Sequence, residues 1–315
     1  LAPKINQRQR NWEALTRETS WQLDLLGGYD DNLNGAPKDD LITLTLSGQP
    51  ILLTLNEQFR AVQGPFLSAR LLARHRRLSP EHQHRFFGQI RGRVSETSGS
   101  DVAQVTGRYN RLTGIGRNSW QWGGGVNHLL LSGQSLFTGS DAYYRFQIAR
   151  FGGCQPYAIS ALQHQLWHEQ RRLDGIEAKF SIGSSCPLQG GTSQRFNLEG
   201  SVLHDGALRD NRLGGNRDGW QLKAEWQMAL SHGLLSAQVN HTRLLDGRGY
   251  SPLLGNNARR SVERSFALVQ YARTFEWHDM RTQLLINLYH QDQRSNLELF
   301  QTTDTSLEIG LSWQF

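Results

Sequence analysis

Apolar and polar residues alternate along most of this chain. In "WQLKAEWQMA" Trp220, Leu222, Ala224, Trp226 and Met228 fall on one side of an extended segment, opposite Gln221, Lys223, Glu225 and Gln227. The same period of two runs through "WQLDLLGGY", "AQVTGRYN", "LLSAQVNHT" and "MRTQLLINLYH". It continues to the last residue in "SLEIGLSWQF", where Leu307, Ile309, Leu311, Trp313 and Phe315 share a face. A helical period reads only over residues 11–18.

Counting alternating segments predicts strands at 20–31, 66–78, 84–95, 102–112, 119–131, 142–151, 157–170, 175–184, 194–205, 219–230, 234–245, 264–275, 280–292 and 306–315. That is about 14 strands, with 16 as the other possible count. Connections alternate between short turns ("SPEH", "SHG", "EWHD") and long segments such as 32–64, 204–219 and 245–263. "ISALQHQLWHE" and "FALVQYARTF" alternate poorly, which signals a register slip or a plugged lumen at those positions.

Two all-β architectures fit such a pattern: a soluble sandwich or jelly roll, and a transmembrane antiparallel up-and-down β-barrel. Four long polar side chains on one strand face do not suit a dry sandwich core. Trp21, Tyr29, Trp120, Tyr144, Trp220 and Trp313 stand at strand ends, where a membrane interface gathers aromatic residues. The barrel is therefore the expected fold, with short turns on the periplasmic side. Composition does not oppose it: the chain of 315 residues is 37% hydrophobic, with 32 glycines and 8 prolines. Its mean hydropathy of −0.55 reflects strands whose apolar residues come singly, a signal that a long window averages away.

A barrel turns the polar half of the alternation inward. On these registers the lumen receives Arg70, Arg74, Arg85, Arg91, Arg93, Arg108, Arg145, Lys179, Arg195, Lys223 and Arg281. Against them stand Asp24, Glu177, Glu199, Glu225 and Glu308. The inner wall is thus net basic, as is the chain as a whole at +6, which implies selection of anionic or mixed-charge cargo. An internal salt-bridge lattice that merely fills the barrel is the other reading. No basic helix suggests nucleic acid.

Catalytic and cofactor chemistry is not legible. Serines are too common for a triad to carry information, and "WGGGVN" lacks the Gly-Lys of a phosphate loop. His164 and His168 have a helical metal-ligand spacing but lie on a predicted strand, so neither a metal nor a cofactor is expected. The reading is a non-enzyme. Cys154 and Cys186, the only cysteines, fall after the sixth and eighth strands and are predicted to form a disulfide between neighbouring periplasmic turns.

A final strand ending on an aromatic residue resembles the C-terminal signature that the barrel-assembly machinery reads, here Trp313 and Phe315. "GYDDNLNGAP" (28–37) and the stretch from "GYSPLLG" to the C-terminus resemble the surface lipoprotein assembly modifier family. Its members join a periplasmic tetratricopeptide-repeat region to a C-terminal 14-stranded barrel. The resemblance implies a monomeric outer-membrane barrel over 19–315, preceded at 1–18 by the end of a helical repeat domain, with a periplasmic N-terminus. It further implies export of surface lipoproteins or secreted proteins. Asp30, Asn32, Asn34, Asp292, Ser295 and Asn296 would bracket the seam between first and last strands, or else form turns at the rim. Exopolysaccharide export barrels of the cellulose, Pel and poly-N-acetylglucosamine type, which also follow such repeats, are the alternative. A passive diffusion porin is the third.

Overall fold

A computed structural model describes residues 16–79, 81–96, 99–114, 118–149, 151–188, 193–277 and 280–315. Its strands are β1 (Arg17–Asp30), β2 (Leu41–Leu46), β3 (Gln49–Thr54), β4 (Gly64–Leu78), β5 (His82–Ser95), β6 (Val102–Thr113), β7 (Ser119–Leu131) and β8 (Gln134–Gln147). They continue as β9 (Gln155–Trp167), β10 (Gly175–Leu188), β11 (Gln194–Ala207), β12 (Arg217–Leu230), β13 (Gly233–Ser251), β14 (Leu254–Trp277), β15 (Met280–Ser295) and β16 (Thr302–Gln314). All but β2 and β3 form one closed antiparallel barrel of fourteen strands. β1 and β16 meet at its seam, and each strand otherwise pairs with its neighbours in sequence. Closure satisfies every edge, which a sheet surrounded by hydrocarbon requires.

Most boundaries fall within a few residues of those read from the alternation; β8 does not. It begins at Gln134 rather than 142 because Ser132 (φ 50°) and Gly133 (φ 80°) make a two-residue turn. Positive φ at both central positions matches the twist of the flanking strands. The segment 134–141 hid this strand because Ser135, Gly139, Thr138 and Ser140 blur its two faces. The two poorly alternating stretches are regular parts of β9 and β14, with an unbroken register. Their inner faces carry Ile159, Ala161, Phe266 and Leu268, so alternation weakens without any slip.

Residues 245–263 are not a loop. They extend β13 and β14 to a hairpin tip at residues 252–253, beyond the ends of neighbouring strands. The long connection 31–63 holds a second hairpin, β2–β3, turning at Ser47 (φ 51°) and Gly48 (φ 79°). Its Thr45 N–H donates to Leu253 O at 2.8 Å, and Thr43 N–H to a Glu298 carboxylate oxygen at 2.5 Å. Leu33, Ala36, Ile42, Leu55, Leu254 and Leu297 are all buried in this region, a small apolar core at the barrel end opposite the start of β1 and the end of β16. Among the described residues the remaining connections at both ends are short. The helix expected over 11–18 lies, up to residue 15, outside the described residues; Arg17 and Glu18 open β1.

Candidate functional site: the inner wall

Partners in an antiparallel ladder share a face, so the registers sort the whole barrel into two surfaces. One surface is apolar and exposed: Leu67 is 65% exposed, Val202 60%, Val126 58% and Leu307 52%. Trp21, Tyr29, Trp120, Tyr144 and Trp220 lie on it. The other faces the lumen and carries the charge.

At the end where β1 starts and β16 finishes, Arg70, Arg74 and Arg281 line a cavity of about 750 Å³ with Gln22 and Gln283. Asp24, fully buried, accepts from Arg70 Nε at 2.6 Å. Next along β8–β12 is a cavity of about 360 Å³ walled by Arg145, Arg195, Lys223, Glu199, Glu225 and Tyr157. There Lys223 Nζ stands 2.5 Å from Glu225, and Tyr157 donates to Glu199 at 3.1 Å. The Arg145 guanidinium lies over the Tyr157 ring, 4.0 Å from its centroid. Arg108, Lys179 and Glu177 line a third space of about 380 Å³, where Arg108 pairs with Asp141 at 3.0 Å.

The register puts Arg85, Arg91, Arg93 and Glu308 on this same face. Arg85 donates to Gln83 Oε1 at 2.9 Å, and Arg91 is 3.8 Å from Glu308. Arg93 donates to Asp30 at 2.7 Å and to Leu33 O at 3.0 Å, tying the base of the 31–63 connection to the wall. Arg74, Arg145, Lys179, Arg195 and Arg281 have no carboxylate within 4.0 Å among the described residues. Cation is therefore in surplus on the wall.

Several charged groups escaped the reading of the sequence. Asp141 and Asp246 lie one residue outside the predicted strands, and Arg217 two residues outside. Alternation within the predicted strands could have found Asp205 and Arg264, which share the parity of Arg195 and Gln270. Asp205, 1% exposed, accepts from Arg212 Nη1 at 2.9 Å and from Arg217 Nε at 2.8 Å. Arg212 and Arg217 join Arg260 and Arg264 around a cavity of about 640 Å³ at the far mouth. The Arg260 guanidinium is 4.5 Å from the ring centroids of both Tyr250 and Phe300. Gly123 makes room in the wall: an added Cβ would stand 2.4 Å from Asn110 Oδ1, where Tyr143 donates at 2.5 Å.

Cys154 and Cys186 form a disulfide with their Cα atoms 4.1 Å apart. Cys154 ends the β8–β9 connection, but Cys186 belongs to β10, opposite Phe196, and not to a turn. Trp21 and Phe315 exchange backbone hydrogen bonds at 3.0 Å, so the last residue pairs at the seam. Asp30 and Asn32 stand beside that seam: Asp30 caps the Asn32 N–H at 2.8 Å and Asn32 donates to Thr303 O at 2.9 Å. Asn34 instead holds Arg60 O and Val62 N–H. Asp292, Ser295 and Asn296 do not bracket the seam; they lie on and after β15, with Asn296 bonded to Arg259 and Ser261 across β14. Carboxylate oxygens of Asp30, Asp31 and Asp304 lie within 4.8 Å of one another at the same rim. Among the described residues His164 and His168 converge on no carboxylate; His168 shares a 2.7 Å hydrogen bond with Thr138.

No protein-family profile matches this sequence. No curated protein matches it. Solved structures do. A FadL homologue from Pseudomonas aeruginosa is 8% identical and superposes with a TM-score of 0.50 over 95% of this chain and 90% of that one. An anion-selective porin from Comamonas acidovorans (12% identity, TM-score 0.45, 95% and 99% covered) and a bacterial polysaccharide outer membrane secretin (10%, 0.45, 94% and 98%) also match. At these identities the likeness concerns the fold. That fold is the outer-membrane type of β-barrel.

Proposed function

We propose that this chain is a channel of the bacterial outer membrane that passes an extended, water-soluble polymer from the periplasm to the cell surface. The termini lie on the periplasmic side, and the cargo is a surface lipoprotein or other secreted polypeptide delivered by a periplasmic tetratricopeptide-repeat region. The observation that carries the reading is the inner wall: a polar face with surplus arginine and lysine, inside a belt of exposed apolar residues. Eight strands close around a space that side chains fill, and sixteen to eighteen leave an aqueous channel; fourteen fall between. Wall charges of both signs suit a polypeptide of mixed charge, and the cationic surplus favours its acidic stretches. Trp313 and Phe315 serve the assembly machinery in this reading, and the chain performs no catalysis.

A second reading has its own support. Tyr143, Tyr157 and Trp167 all face inward on the adjacent strands β8 and β9, and flat aromatic faces suit the apolar faces of sugar rings. An exported anionic polysaccharide is therefore the alternative cargo.

Photocrosslinkers placed at Tyr157 and Lys223 in the full-length protein, in cells, test both. Capture of a lipoprotein or secreted polypeptide supports the first reading. Capture of saccharide without protein sinks it in favour of the second. Capture of neither, with steady conductance in planar bilayers, indicates a diffusion porin.

A further inference from the structure

Five ascending strands carry the same outward motif toward their far ends. The sequences Val126-Asn127-His128 on β7, Leu162-Gln163-His164 on β9, Val202-Leu203-His204 on β11, Val239-Asn240-His241 on β13 and Leu288-Tyr289-His290 on β15 each place a histidine one outward position beyond an aliphatic residue. The registers set these five in an arc over β7–β15. A ladder followed from Trp21, near the termini, through Ala73, Gly88, Gly107, Val126, Ser140, His164 and Ile176 arrives at Gly206, near the far end. Staying level on such tilted strands requires stepping back toward the termini from one hairpin to the next. The histidines step back in this way: Thr138, opposite His128, pairs with Leu166 just beyond His164, and Ile176, opposite His164, pairs with Gly206 just beyond His204. Asp218, opposite His204, leads to Leu245 beyond His241, and Ser265, opposite His241, to Asp292 beyond His290.

The rings are held sideways. His128 Nδ1 meets Thr138 Oγ1 at 2.8 Å, His204 Nδ1 meets Asp218 at 2.6 Å, His241 Nδ1 meets Ser265 Oγ at 2.9 Å and His290 Nδ1 meets Thr305 Oγ1 at 3.0 Å. In His204, His241 and His290 this leaves Nε2 for a partner outside the chain. His241 also packs on Trp220, with ring centroids 5.2 Å apart. Below these histidines the outward surface is largely apolar; above them come Arg243 with Glu263 at 3.3 Å on β13 and β14 and Arg294 with Asp292 at 2.8 Å on β15, while β7 and β9 carry Leu130 and Leu166. On β13 and β15 the histidines thus stand where the apolar belt meets charged residues, the level at which a membrane interface gathers tyrosine and tryptophan.

We propose that the collar of His128, His164, His204, His241 and His290 binds phosphate-bearing lipid headgroups of the leaflet at the far end, and does so more strongly as the imidazoles gain protons. The inference rests on the membrane-spanning part of the functional reading, not on the cargo. Histidine changes charge between about pH 5 and 8, and a protonated imidazole gives a charge-assisted hydrogen bond to phosphate. The groups facing each ring set the response. Ser135, Thr138 and His168 surround His128; Ser140 and Ile176 flank His164; Ala178 and Asp218 flank His204. Leu222, Ser265 and then Arg243 and Glu263 flank His241; Ala267, Thr305 and then Asp292, Arg294 and Asp31 flank His290. Asp218 hydrogen-bonds His204, and Arg243 and Arg294, each paired with a carboxylate, stand beyond His241 and His290 on their strands.

The test refolds the full chain into vesicles of phosphatidylcholine, alone or mixed with brominated phosphatidic acid, and reads quenching of tryptophan fluorescence. The expected result is a preference for phosphatidic acid of about fivefold or more at about pH 5.5 that shrinks toward about pH 8. Replacing all five histidines by glutamine should abolish the pH-dependent part. Should that variant not fold, the pair His241→Gln and His290→Gln should remove part of it. A preference absent at both pH values, or unchanged in the glutamine variants, overturns the proposal. So does equal, pH-dependent binding of inorganic phosphate by the detergent-solubilised barrel, which would make the occupant a free anion. Failure to insert into phosphatidylcholine vesicles overturns the membrane-spanning reading itself, a separate result.

Discussion

At the scale of single residues, the buried charges are the positions where one atom decides most. Asp205 is held by Arg212, itself 4% exposed, and by Arg217. Removing one member of such a cluster strands the other charge, at about 3–5 kcal/mol. Asp205→Asn is therefore expected to lower the urea midpoint of the refolded barrel and to open the 208–216 connection to protease. Unchanged proteolysis and midpoint would mean that the cluster carries no structural weight. Asp205 was legible in the alternation, because it shares the parity of Arg195 and Glu199 on one strand. Arg212 was not: it lies in a connection, where no periodicity says which way a side chain points.

At the scale of elements, the seam and the disulfide are the joints. An added Cβ at Gly310 would stand 2.0 Å from Leu25 O and 2.6 Å from Leu26 Cα, both backbone atoms of the facing strand. Gly310→Val is expected to block pairing of β16 with β1 and abolish the heat-modifiable band of the folded barrel on gels. A normal band would show that the seam tolerates separation. The disulfide joins the β8–β9 connection to β10 across 32 residues of sequence. Its loss in Cys186→Ser is expected to cost about 3–4 kcal/mol on the chain-entropy account, read as a fall in the urea midpoint that reductant reproduces in the parent chain. Most strands were legible because each has one lipid-like and one water-like face. The β2–β3 hairpin carried a Ser-Gly turn between two apolar runs as well, and was hidden only by its place within a long connection.

For the whole molecule, the wall's surplus cation should be electrical. In planar bilayers with a salt gradient, the barrel is expected to pass anions in preference to cations, with a preference that weakens as salt rises and screening shortens. Replacing Arg145, Arg195 and Lys223 by glutamine should move the reversal potential toward cation selectivity. A reversal potential insensitive to all three substitutions would mean that the ions take a path away from the 360 Å³ cavity these residues line.

Local chemistry determined the strands, their two faces and which charges share the polar one, because a period of two is written in adjacent residues and needs no knowledge of distant partners. The polar face and the placement of tryptophan and tyrosine already favoured a barrel with that face inside, and the meeting of β1 with β16 bears it out. Only closure decided how the charges combine. Asp24 reaches Arg70 and Arg93 reaches Asp30 through strand register, and the five collar histidines become level only through the stagger of the barrel. These are relations between segments far apart in sequence, set by how strands tilt and close, and no local pattern contains them.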